Sequence, residues 1–254
     1  MNHRILRGLL LCFVAFFWMT IVAAAQRGAQ QRRTTSAKEA APIDLTGYWV
    51  PLVTEDWRWR MLTPPKGDFF GVPLNEAGVK AMNAWDPAKD EASENRCKAY
   101  GAPAIMRLPL RVHITWQDEN TLKIETDAGQ QTRLLHFTDA APSNQPSSLQ
   151  GYSTASWDMK SRTGEHPEGD LKVVTSRLKS GYLRTNGVPY SEDAVVTEYF
   201  VRHADYGTEW FTIISIVDDR KYLTEPFIVS SHFKREGDGS KWDPSPCEVG
   251  RPVK

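Results

Sequence analysis

The chain has 254 residues, of which 41% are hydrophobic and 24% charged, and its 31 Lys and Arg are matched by 31 Asp and Glu. With no net positive field to recruit nucleic acid, phosphate neutralisation is excluded as the main business of the chain, and the near-average composition excludes wholesale disorder. Nine Trp is many for this length, and rings of that size point to the lining of a cavity or an interface.

Arg4 and Arg7 open the chain without an acid, residues 9–22 (LLLCFVAFFWMTIV) are apolar but for one Thr, and Ala23-Ala24-Ala25 precede Gln26. That order is expected of a secretory signal over residues 1–25, cleaved near Ala25. The apolar run of about 14 residues falls short of the ~20 that cross a bilayer. The mature chain is therefore expected to carry no membrane span and to reside in the periplasm or outside the cell. Cys12 leaves with the signal, so Cys97 and Cys247 remain, and in an oxidising compartment such a pair is expected to close. A loop of about 150 residues closed in this way contributes roughly 4–5 kcal/mol by chain-entropy reasoning. The C-x-x-C spacing of a structural zinc or thioredoxin-like site is absent from the sequence.

Residues 26–41 are polar and aperiodic and read as a flexible leader, with a single domain over 42–254. From Pro42 the dominant signal is short alternating or β-branched runs between turn residues. Strands are expected over 47–53, 111–117, 121–126, 130–137, 151–157, 171–178, 194–203, 209–217 and 227–234. The short turns between most of them favour antiparallel pairing. One helix is predicted over 74–85, with Asn75 as its N-cap, and a second short one after Pro87. The fold class that follows is mainly β: an antiparallel, lipocalin-like β-barrel of 8–10 strands with one or two short helices.

Asp44-Leu45-Thr46-Gly47-Tyr48-Trp49, with Gly two residues before Trp at the start of the first strand, resembles the opening motif of lipocalins and other calycin-type barrels. In those proteins the Trp packs across the closed end of the barrel. The order of DLTGYW, CKAYGAP at 97–103, TDAG at 126–129, QGYSxxxW at 150–157, LKVVT at 171–175, TNGVPYSEDAVVTEYF at 185–200 and VDDRKYLTEPF at 217–227 is similar to a broad, largely uncharacterised family of exported bacterial proteins. That resemblance implies a fold and an exported address rather than an activity. Where many members carry His-Ser, this chain has Tyr190-Ser191.

The sequence contains no G-x-S-x-G, H-E-x-x-H, Walker or G-x-G-x-x-G motif, which sets aside the standard hydrolase, zinc-protease and nucleotide readings. His113, on one face of its strand with Arg111, Thr115 and Gln117, either meets water or lines a pocket. His113, His136, His203 and His232 are weighed as metal ligands and read as structural, so neither metal nor cofactor is expected. Around the Asn186-Gly187 turn lie Arg184, Tyr190, Ser191 and Glu192. Glu198 shares a face with Val196 and Phe200, which points to burial and either to proton transfer or to a buried Glu–Arg pair. Trp57 and Trp59 alternate with Arg58 and Arg60 and are expected to continue the first strand into a barrel mouth, with residues 68–70 as a lid.

Two readings share that fold. The first is an exported barrel holding a small apolar or aromatic molecule in a cavity walled by Trp49, Trp57, Trp59, Trp116 and Tyr152. The alternative is a cofactor-independent lyase, isomerase or hydrolase, with Glu198 or His113 as base, Tyr190 as acid and Arg184 as anion clamp. A partner-binding module would instead expose its aromatics on the outside.

Overall fold

In a computed structural model of the chain, alternation of inward and outward side chains curls nine strands into a closed barrel among the described residues, which are 35–92, 94–138, 140–161 and 168–252. The expected signal over 1–25 and the start of the leader lie outside those residues. The strands are β1 (Gly47–Leu52), β2 (Val112–Asp118), β3 (Thr121–Thr126), β4 (Thr132–His136), β5 (Tyr152–Ser161), β6 (Glu168–Ser176), β9 (Val195–Asp205), β10 (Thr208–Asp218) and β11 (Phe227–Glu236). β7 (Gly181–Tyr182) and β8 (Pro189–Tyr190) form a separate hairpin. Round the barrel the order is β1-β11-β10-β9-β6-β5-β4-β3-β2, so every strand has two neighbours and no edge is left open.

The mainly β barrel is as expected, but one pairing departs from antiparallel. β4 and β5 run parallel and share only two register pairs, Leu135 with Ser153 and His136 with Thr154. A parallel pair needs a connection longer than a hairpin turn, and residues 137–151 separate the two strands. The barrel is therefore mixed, and its β4–β5 seam is thin beside the eleven-pair β9–β10 ladder.

Helices outnumber the expectation. Besides α2 (Glu76–Asn83) and α3 (Pro87–Glu91), the chain forms α1 (Trp57–Arg60), α4 (Ala102–Ile105) and a 3-10 segment, Glu94–Tyr100. Asn75 caps α2 as expected, its side chain accepting from the Gly78 N–H at 2.9 Å. The Trp57–Arg60 run does not continue β1: Asp56 adopts a left-handed φ of 53°, and the chain turns into a helical loop. On a helical turn residues two apart diverge, so Trp57 is exposed while Trp59 is half-buried.

The two ends of the barrel are built differently. One end receives the starts of β1 and β10 and the ends of β9 and β11. Residues 36–41 fold onto the β2–β3 turn there, with Lys38 N donating to Glu119 O at 3.1 Å and the Trp157 indole donating to Ala37 O at 2.8 Å. Residues 36–41, expected to belong to the leader, are thus hydrogen-bonded to the barrel. All the helices among the described residues and the β7–β8 hairpin gather at the opposite end, the mouth. After β11 the chain runs back outside β1 and β2, with Trp242 edge-on to Tyr48, to reach the mouth again. There Cys247 is disulfide-bonded to Cys97, with Cα atoms 5.2 Å apart, as the cysteine count predicts. At the β7–β8 turn Gly187 has φ 84°, and a Cβ there would lie 2.2 Å from the Trp85 ring. Only glycine fits both demands.

Inward-facing Trp49, Ile114, Leu122, Phe200, Phe211 and Phe233 fill the barrel, each 1% exposed or less. Phe211 stacks on Phe233 at 4.7 Å and meets Trp49 edge-on at 4.9 Å. Each such side chain contributes ~1.5–3 kcal/mol of burial. A second cluster, including Val72, Met82, Leu183, Val188 and Leu223, packs the helices and the hairpin over the mouth.

Candidate functional site

Within the aromatic filling lies a buried polar group. Glu198 on β9 and Arg133 on β4 both face inward and form a bidentate ion pair at 2.5 and 3.2 Å, with Arg133 also 3.4 Å from the Thr175 hydroxyl. Thr175 in turn bonds Ser153 at 2.7 Å. Glu198 therefore takes the structural alternative, a buried Glu–Arg pair, but its partner is Arg133 and not Arg184. Arg133 is legible in principle, since it alternates with Leu135 on the inward face of β4.

The remaining acid–base candidates do not converge on Glu198. His113 points outward from β2, stacked on Tyr48 at 4.0 Å and 3.7 Å from Glu125, and partial burial lowers its pKa. Tyr190 is fully buried in the packing over the mouth, with no partner for its hydroxyl among the described residues, and burial raises its pKa. Next to it Ser191 donates through both its N–H and its hydroxyl to Asp219, at 2.6 and 2.7 Å. Glu192 is exposed and pairs with Lys221 at 2.9 Å. Among the described residues no group of three or more His, Cys, Asp or Glu is arranged to hold a metal ion.

The five aromatics expected to wall one cavity are distributed over the whole molecule. Trp49 is inside, its indole donating to Leu45 O at 2.9 Å and the Arg235 guanidinium lying 5.5 Å over its ring. Trp116 faces inward at the end away from the mouth, 5.6 Å from Phe137 and 6.4 Å from Trp157. Tyr152 faces outward, because its neighbour Ser153 faces in, and stacks on His136 at 4.6 Å. Trp59 stacks on Phe70 at 5.6 Å at the mouth, and Trp57 stands in solvent.

What the mouth does offer is a cleft of about 600 Å³ outside the barrel proper. One wall is the α1 turn and its continuation, Arg60 to Thr63; another is the returning tail, Pro246 to Arg251. Tyr100, Leu108 and Leu110 lie between them, and Cys247 fixes the tail wall through the disulfide. The tail is held further by Gly129 N to Ser245 O at 2.8 Å and by Glu248 N to the Tyr100 hydroxyl at 3.2 Å. The lining mixes apolar Met61, Leu62 and Leu108 with charged Arg60, Arg96, Glu91, Glu248 and Arg251.

Three arginines near the mouth are each only 5% exposed: Arg60, which lines the cleft, and Arg107 and Arg184, whose chain neighbours Leu108 and Thr185 line it while they do not. Arg60 Nε donates to Arg107 O at 2.8 Å and its Nη1 pairs with Glu55 at 2.5 Å. Arg107 Nη2 pairs with Asp56 at 3.0 Å. Arg184 lies 5.2 Å over the Trp59 ring and donates to Phe70 O at 2.8 Å. Burial first, and the nearby Arg107 charge second, push the Arg184 pKa down to about 10. Of the three, only Arg184 is expected from the sequence as a site residue. Arg107 sits in a segment without periodicity, and Arg60 reads as the outer face of a strand until Asp56 turns the chain.

Comparison with protein-family models, with curated proteins and with solved structures finds no match to this chain.

Proposed function

We propose that the chain is an exported β-barrel protein that binds a small molecule, and that the molecule sits in the cleft at the barrel mouth. One observation carries the reading: a cleft of about 600 Å³ whose walls are pinned from both sides, by the barrel and by the disulfide-tethered tail. Ligand sites span ~300–1,000 Å³ and combine apolar walls with a few convergent polar groups, and this lining has both. The dense aromatic filling of the barrel supports the mouth over the interior. The disulfide supports an oxidising compartment, and no helix among the described residues is long and apolar enough to cross a membrane. Trp49, held inside one end beneath Arg235, supports reading DLTGYW as a calycin-like opening.

The acid–base alternative lacks such support. Arg133 occupies both carboxylate oxygens of Glu198 inside the filled barrel, while His113 lies on the outer face. The test is native mass spectrometry of the mature protein isolated from its exporting cell. A stoichiometric adduct lost on denaturation and recovered unchanged fits a binding protein; no adduct, together with no saturable binding in a small-molecule screen, contradicts it.

A further inference from the structure

The outer face of β9, β10 and β11 is uncharged along its middle. Outward side chains alternate with inward ones, and the register sets them in rows across the three strands. Thr212 lies between Val201 and His232, Ile214 between Tyr199 and Ser230, and Ile216 between Thr197 and Ile228. These rows contain no Asp, Glu, Lys or Arg, and the Thr212 hydroxyl is bonded to His232 Nδ1 at 2.9 Å within the face. Ile228 is 61% exposed, and Val195 and Ile214 are exposed too. Neither buried cluster includes any of these side chains. The solvated face of an antiparallel sheet is ordinarily polar, and a contiguous apolar one marks a site of association.

Charge returns only at the borders. Asp218 stands beside Val195 at the mouth end. Toward the other end Trp210 lies between His203 and Lys234, with the Lys234 ammonium 5.7 Å over its ring, and Asp205 follows beside Thr208. On the β1 side Glu55 lies 3.7 Å from His232, and on the β6 side Lys172 lies 5.7 Å over the Tyr199 ring.

We infer that this face is the interface of a symmetric dimer, in which β10 of one copy packs on β10 of a second with Ile214 at the centre. The inference goes beyond the small-molecule reading of the cleft and does not depend on it. A two-fold relation sets β10 on itself in two ways. With the strands running alike, Asp218 meets Asp218, two acids in contact. With the strands opposed, Asp218 and Trp210, each four residues from Ile214, change places between the copies. Asp218 of each copy then lies against Trp210 of the other, between His203 and Lys234, so that opposite charges meet at both ends and Ile214 meets Ile214. Charge complementarity therefore selects the opposed arrangement. Strands of ten and eleven residues set ~4.8 Å apart make a face of ~33 by ~14 Å. A stable interface takes ~800 Å² from each partner, so the contact uses the strands to their charged ends. A lipid surface fits this face less well, because Asp205 and Asp218 border both its ends and repel anionic headgroups.

Sedimentation velocity of the mature protein across the micromolar range tests the dimer, and a species of twice the mass of one chain is expected. Ile214→Lys sets two ammonium groups against each other at the centre and weakens association at least a hundredfold, with an unchanged circular dichroism spectrum. If that variant folds poorly, Ile214→Thr keeps a β-branched residue in the strand and weakens association at least tenfold. Lys234→Glu weakens the dimer, and combining it with Asp218→Lys restores the dimer, as the opposed arrangement requires. A monomer throughout the range overturns the inference. So does a dimer that the folded Ile214 variants leave intact, which places the contact on another face. Absence of rescue by the paired charge exchange overturns the opposed arrangement.

Discussion

Arg133 on β4 and Glu198 on β9 meet inside the barrel with β5 and β6 intervening between their strands, both essentially inaccessible to solvent. Their pair spans the thin parallel seam between β4 and β5, where two register pairs do the work that eleven do between β9 and β10. Removing one partner leaves the other charge buried and alone, so Glu198→Gln or Arg133→Ala is expected to destabilise the fold by about 3–5 kcal/mol. Replacing both together by Leu and Met is expected to cost far less. Urea denaturation of the four proteins checks this, and a double variant as unstable as the singles contradicts it.

Much of the barrel is legible in the residues because period-2 alternation survives translation into structure. Phe211, Ile213 and Val217 face in from β10, while Trp210 and Ile214 face out. The parallel β4–β5 pair escapes that reading because nothing local in residues 137–151 encodes a parallel pairing. The mouth escapes for a different reason. Arg60, Arg107 and Arg184 lie far apart in the chain, on a four-residue helix, just after another and in the β7–β8 turn, and nothing local in any of these segments marks the other two.

The disulfide is expected to matter to the cleft as well as to stability. Reduction, or Cys97→Ser, frees the tail wall from Pro246 to Arg251 and is expected to cost about 2–5 kcal/mol. Ligand affinity at the cleft falls with it, by at least tenfold. Thiol titration of the denatured mature protein should find no free thiol before reduction and two after; full affinity in the reduced protein contradicts the role given to the tail.

Tyr190 sits with its hydroxyl unpaired, and a Cβ at Gly101 would lie 2.0 Å from that oxygen. Tyr190→Phe removes a buried polar atom without a partner and is expected to leave stability unchanged or raise it by about 1 kcal/mol, whereas Gly101→Ala is expected to destabilise the protein. Thermal denaturation checks both. Loss of ligand binding in a stable Tyr190→Phe protein contradicts a purely packing role.

His113 is held below its ordinary pKa mainly by partial burial between Tyr48 and the returning tail, with Glu125 acting in the opposite sense. The unfolded chain therefore takes up this proton at a higher pH than the folded one. The contribution is fully present above the ordinary histidine value of about 6.5 and is lost as pH falls through the folded value. Burial lowers the His136 pKa in the same sense. Chemical denaturation between pH 7.5 and 5 is expected to show falling stability, with a smaller fall in His113→Phe; an unchanged slope in that variant contradicts the assignment.

The proposed ligand is placed in the mouth cleft and not inside the barrel. A crystal structure of the mature protein carrying the molecule that co-purifies with it tests this most directly. Density bounded by Arg60, Tyr100, Leu108 and the 246–251 tail is the predicted result. Density among Trp49, Phe200, Phe211 and Phe233 inside the barrel would contradict it.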